Sequence, residues 1–140
     1  TDISTDALVV AKKNADALGC SVEFIQHDLL TAVPPSMNRV DLIISNPPYV
    51  GLDESEELDQ RVSHREPRLA LFAPPDDVVG FYRALASVGR QSLVVGGHVL
   101  VEINQRYGHE VCECFFSEGF NDIRIVQDVS GNDRFVHARR

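Results

Sequence analysis

Val40-Asp41-Leu42-Ile43-Ile44-Ser45-Asn46-Pro47-Pro48-Tyr49 is the stretch that decides the fold of this chain. Its apolar, β-branched run stops at a polar residue and two prolines, which reads as a buried strand ending abruptly. Proline lacks an N–H and fixes φ, and the residue before it is pushed out of the helical region. The strand therefore cannot roll directly into a helix. Asn46 is held at the carboxyl end of a strand, where open α/β sheets bind their ligands.

That placement suits recognition of a planar NH2 group. The Asn46 side-chain oxygen accepts one hydrogen bond and the Pro47 carbonyl accepts a second, because a Pro-Pro step leaves carbonyls without local N–H partners. Two acceptors grip both hydrogens of an amide or exocyclic amine and aim the nitrogen lone pair at an electrophile. Tyr49 lies against the flat face of the bound group. Catalysis of this kind works by positioning, which supplies about 7–11 kcal/mol of a barrier in favourable cases. The competing reading is a proline-rich strand exit with no chemistry.

The 140 residues amount to one domain's length. Apolar content of 44% and charged content of 24% are ordinary for a soluble globular protein. No apolar run approaches the ~20 residues that span a bilayer. The net charge of −8 argues against a main partner that is a nucleic-acid backbone, which needs a basic face. Cys20, Cys112 and Cys114 show no C-x-x-C spacing, so neither a disulfide framework nor a zinc site is expected, and a reducing cytoplasm fits. His27, His64, His98, His109 and His137 are scattered, and no metal is expected.

Strand and helix signals alternate along the chain. Thr1–Ile3 reads as the tail of a strand. Ser4 caps a helix with Leu8, Ala11, Ala15 and Leu18 at helical spacing and Gly19 as its stop. Val22–Ile25 reads as a short strand, followed by the 40–44 strand and a charged, proline-bearing loop from Gly51 to Pro75, long enough to be a lid. Asp76 or Asp77 caps a second helix carrying Val78, Phe81, Tyr82, Leu85 and Val88. A strand over His98–Ile103 follows the Gly96-Gly97 turn, and a third helix bears Val111, Cys114 and Phe115. Asp122–Val126 and Arg134–Ala138 form a hairpin about Ser130–Asp133. The expected fold is an α/β sheet, mostly parallel, with an antiparallel C-terminal edge.

Two carboxylates gain meaning by position. Asp2 stands at the end of the first strand fragment, where an acidic residue accepts ribose hydroxyls. Asp28 follows the second strand and could accept from an adenine amino group, with Leu29 packing on the ring. Each alone reads as a cap or loop residue. Together with Asn46 they send polar groups from three consecutive strand ends into one crevice, which suits an adenosine-containing cofactor.

Asp2-Ile3-Ser4, Asp28-Leu29 and Asp41–Val50 together resemble the class I S-adenosylmethionine-dependent methyltransferases, a Rossmann-like fold. Glu66-Pro67-Arg68-Leu69-Ala70-Leu71, then Val101–Gln105 and the closing Asp128–Arg134, resemble the release-factor branch (HemK/PrmC) of the protein-glutamine N5-methyltransferases. The resemblance runs from Thr1 to Arg140. It implies methylation, from S-adenosyl-L-methionine, of the glutamine amide in the Gly-Gly-Gln loop of peptide chain release factors. Asn46, Pro47, Pro48 and Tyr49 would be the catalytic residues, and Asp2, Ile3, Asp28, Leu29 and Asn46 the cofactor-binding ones. Glu66 and Glu102 would fix the lid and a strand end and would not act as a base.

The sequence also departs from that family. Its first strand and Gly-rich cofactor loop have no counterpart here, nor does its N-terminal helical domain. The expectation is a single, N-terminally truncated catalytic domain over residues 1–140 that leaves a central sheet slot empty and binds cofactor poorly by itself. Other functions sharing the Asn-Pro-Pro-Tyr motif are glutamine methylation of a ribosomal protein and nucleic-acid N-methylation. The latter calls for a basic face, and only Arg61, Arg65 and Arg68 stand in the lid. A non-catalytic binding module is the remaining class. The expected partner is a protein substrate in the cytoplasm, with neither nucleic acid nor membrane.

Overall fold

The structure, a computed structural model, describes residues 1–31, 33, 37–54 and 66–140. Helix α1 spans Thr5–Leu18 and begins where the Ser4 hydroxyl accepts from the Ala7 N–H. It ends at Gly19, whose φ of 66° is the left-handed conformation glycine adopts cheaply. Strand β1 is Val40–Ser45, and a short helix α2 covers Arg68–Leu71. Helix α3 (Gly80–Ser92) leads straight into β2 (Leu93–Glu102), and α4 (Gly108–Ser117) leads into the hairpin of β3 (Asn121–Gln127) and β4 (Asp133–Arg139).

The sheet order is β1-β2-β4-β3. The β1–β2 pair is parallel, and β4 runs antiparallel to both β2 and β3. Three of the four strands thus share one direction. The reversed strand is not at the edge, as the hairpin alone suggested. It is inserted between β2 and β3, which brings its residues beside the end of β2.

The core lies on one face of this sheet. Val99, Val101 and Val136 are fully buried against Tyr82 and Leu85 of α3 and Phe115 of α4. Phe115 meets Phe120 edge-on at 5.4 Å between ring centroids. The period-two alternation of β2 buries residues 99 and 101 and turns residues 98, 100 and 102 to the other face.

Several sequence expectations need correction. Val22–Ile25 forms no strand, and the Thr1–Ile3 tail makes a single parallel bridge, Asp2 to Gln26. Neither Asp76 nor Asp77 caps α3. Val79 is the cap residue, and the Asp77 carboxylate instead holds Arg83 at 2.8 Å. Strand β2 starts five residues early and runs through Gly96-Gly97 as a bulge, so that Val40 faces Leu93 while Leu42 faces His98. Of the α1 stripe only Ala15 is buried, and Leu18 is exposed. The Gly51–Pro75 segment is not wholly irregular, since it holds a turn at Leu52–Glu54 and α2. Arg61, His64 and Arg65 lie outside the described residues, as does the middle of the expected lid, residues 55–65.

Candidate active site

Strand β1 delivers Asn46-Pro47-Pro48 to the carboxyl end of the sheet, where the backbone leaves regular structure. Pro47 is buried and Asn46 is exposed. The chain beyond is pinned at once. Val50 N–H donates to the Leu71 carbonyl and the Val50 carbonyl accepts from Ala73 N–H, both at 3.0 Å. The strand exit is therefore a fixed ledge, consistent with the stiffness of two successive prolines.

A crevice of about 700 Å³ opens beside this ledge. Asp2, Ile3, Asp28, Leu29 and Asn46 all line it, together with Pro47 and Pro48. Asp2 Oδ1 accepts the Ser4 N–H at 2.8 Å, and Asp28 Oδ1 accepts the Leu30 N–H at 3.0 Å. Each carboxylate is thus aimed by a main-chain donor two residues on. The Asp2–Gln26 bridge ties their two segments together, with Asp2 N–H donating to Ile25 and His27 N–H donating to Asp2. Leu85, Val88 and Ile43 supply an apolar wall.

Two directed carboxylates, an amide and an apolar wall in this volume fit an adenosine group, whose hydroxyls and amine donate and whose ring is flat and apolar. Asp2 and Asp28 would take the donors and Leu29 would lie on the ring.

Tyr49 stands apart from that crevice. It lines a second, more polar cavity with Glu54, Asn104, Asn132 and Arg134. Its hydroxyl donates to Glu102 Oε1 at 3.0 Å. Burial pushes the Tyr49 phenol up, the Glu102 carboxylate pushes it further, and Arg134 draws it partly back. Tyr82, buried under the same strand end, donates to the Glu102 carbonyl at 3.1 Å.

Glu54 and Asn104 are residues that the sequence reading gave no role. The buried Asn104 amide donates to both Glu54 oxygens at 2.9 Å and reaches the Tyr49 carbonyl at 3.5 Å. The signal was present, because Asn104 comes just after the end of β2 as Asn46 comes just after the end of β1. Glu66 is exposed, and the Arg68 guanidinium lies over the Phe72 ring at 4.6 Å to its centroid.

The methyltransferase small domain family matches residues 1–66. The release factor glutamine methyltransferase of Bacteroides thetaiotaomicron is 40% identical over 139 residues, 99% of this chain and 50% of the relative. That of Cereibacter sphaeroides is 41% identical over 141 residues, 99% of this chain and 49% of the relative. The crystal structure of TrmN from Thermus thermophilus superposes with a TM-score of 0.60 at 17% identity, covering 99% of this chain and 34% of that one, a likeness of fold alone. The α/β sheet is thus a fold shared with that structure. By sequence the chain is a relative of the release factor glutamine methyltransferases, and it spans about half the length of the curated relatives it matches.

Proposed function

We propose that the protein transfers a methyl group from S-adenosyl-L-methionine to the side-chain amide nitrogen of the Gly-Gly-Gln glutamine in peptide chain release factors. The observation that carries this reading is a joint one. Asn46-Pro47-Pro48 lines the same crevice as Asp2 and Asp28, in a chain 40% identical to a release factor glutamine methyltransferase.

Asp2 and Asp28 hold the nucleoside end of the cofactor, Leu29 covers its ring, and Ile3 borders it. The bound cofactor supplies an electrophilic methyl group. Asn46 Oδ1 and the Pro47 carbonyl accept the two N–H groups of the glutamine amide. An amide nitrogen is a poor nucleophile because its lone pair is delocalised, and acceptors on its hydrogens return electron density to it. The same acceptor dipoles, fixed in advance by the rigid ledge, favour positive charge as it develops on nitrogen. The proton then leaves to water, so neither Glu102 nor Glu66 is needed as a base. Among the described residues no helix is long and apolar enough to cross a membrane, and a cytoplasmic protein substrate fits the reading.

The test is methyl transfer from labelled S-adenosylmethionine to a purified release factor, with peptide mapping of the product. Label on the Gly-Gly-Gln glutamine supports the reading. Label on RNA or DNA and none on protein overturns it.

A further inference from the structure

Tyr49 is tied to the C-terminal hairpin by a line of charged contacts that crosses three segments of the chain. Its hydroxyl donates to Glu102 at the end of β2. Arg134, the second residue of β4, approaches the same Glu102 oxygen at 3.8 Å. The Arg134 Nε and terminal nitrogen also contact Asp128 Oδ2 at 3.4 and 3.3 Å. Asp128 is itself fixed from the hairpin turn, accepting the N–H groups of Ser130 at 2.9 Å and Asn132 at 3.1 Å on its other oxygen. Main-chain bonds hold the middle of the line. The Ile103 N–H donates to the Arg134 carbonyl at 2.9 Å, and Tyr82 donates to the Glu102 carbonyl at 3.1 Å.

This arrangement has a physical logic. An unpaired carboxylate at a half-buried position is costly, and the nearby guanidinium offsets that cost while Glu102 accepts from Tyr49. The Asp128 carboxyl stays well below the usual carboxylate range because Asn132 and Ser130 donate to it and Arg134 faces it. Along the line, carboxylate, guanidinium and carboxylate alternate in sign. What they fix is one ring orientation at Tyr49, next to the two residues assigned to the amide.

We propose that Glu102, backed by Arg134 and Asp128, is a positioning residue for Tyr49, and that the C-terminal hairpin thereby sets the geometry of the Asn46–Pro48 ledge. The proposal rests on the function reading for its kinetic part only.

The experiment uses the complete protein, with ring-labelled tyrosine, as wild type, Glu102→Gln, Glu102→Ala and Arg134→Met. Nuclear magnetic resonance follows the ionisation midpoint and ring reorientation of Tyr49, assigned with Tyr49→Phe. In the wild type the midpoint is expected above the ordinary tyrosine range. It is expected to fall in both Glu102 variants, and ring reorientation is expected to speed up in Glu102→Ala and Arg134→Met. In the methyl-transfer assay Glu102→Ala is expected to lower kcat roughly 10- to 100-fold with the cofactor KM unchanged, as a small shift of the ledge that orients the amide does. Glu102→Gln, which keeps an oxygen acceptor, is expected to restore most of that loss. An unmoved midpoint and ring overturn the proposal even if every variant is active. So does an unmoved kcat in Glu102→Ala with an altered ring. If the wild type transfers no methyl group, the function reading falls, and the ring measurements alone decide whether Glu102 and Arg134 hold Tyr49.

Discussion

Asn46 and His137 show how differently single side chains act in this molecule. Asn46 is exposed at the crevice rim and contributes little to the core. Asn46→Ala is therefore expected to leave the urea midpoint unchanged while lowering methyl transfer by roughly 10²- to 10³-fold, the size of effect seen when one preorganised polar contact to a developing charge is lost. Parallel denaturation and rate measurements check it. His137 is a matter of stability. Its Nε2 lies 2.9 Å from His98 Nδ1, and burial, then Arg124 and His98, push it below the ordinary histidine range. The native state thus resists a proton that the unfolded chain accepts. Stability is complete above the unfolded pKa of about 6.5 and declines as pH falls through it, until the folded ring also protonates. The urea midpoint is expected to drop between about pH 7.5 and about pH 5.5, and His137→Gln to flatten that slope.

At the scale of elements, the bulge in β2 is the feature on which the parallel pairing with β1 depends. A Cβ added at Gly97 would stand 3.0 Å from the Val94 carbonyl oxygen and 3.1 Å from that of Asp41. Both obstacles are main chain and neither can swing away. Gly97→Ala is expected to cost about 1–3 kcal/mol, the usual penalty of forced overpacking, measurable by chemical denaturation. Local signals gave away much at this scale. Ser4 and Gly19 bracket α1 as read, and the 40–44 run is the strand that delivers Asn46. What local pattern did not carry was long-range order. Gly96-Gly97 reads as a turn, because glycine pairs stop most strands, yet tertiary pairing with Val40 and Leu42 draws the bulge into β2. Asp77 has a cap's composition but finds Arg83 instead. The crevice residues were legible because each follows an extended segment. The Tyr49–Glu102–Arg134 line was not, because it joins positions as many as 85 apart in sequence.

The whole molecule buries one face of its sheet well and the other poorly. Ile43 is 7% exposed, while its neighbours Leu42 and Ile44 are 52% and 70% exposed. Among the described residues β1 pairs only with β2, so its outer N–H and C=O groups form an open edge beside an oily surface. An edge of this kind is a template for another strand. The chain in isolation is therefore expected to become turbid at a rate that climbs steeply with protein concentration, at temperatures far below its melting point. Ile44→Lys, on the face away from the core, should delay that turbidity in light scattering without altering the near-ultraviolet circular dichroism. For this chain, shelf life is a colloidal property of one strand more than a measure of how well its core is packed.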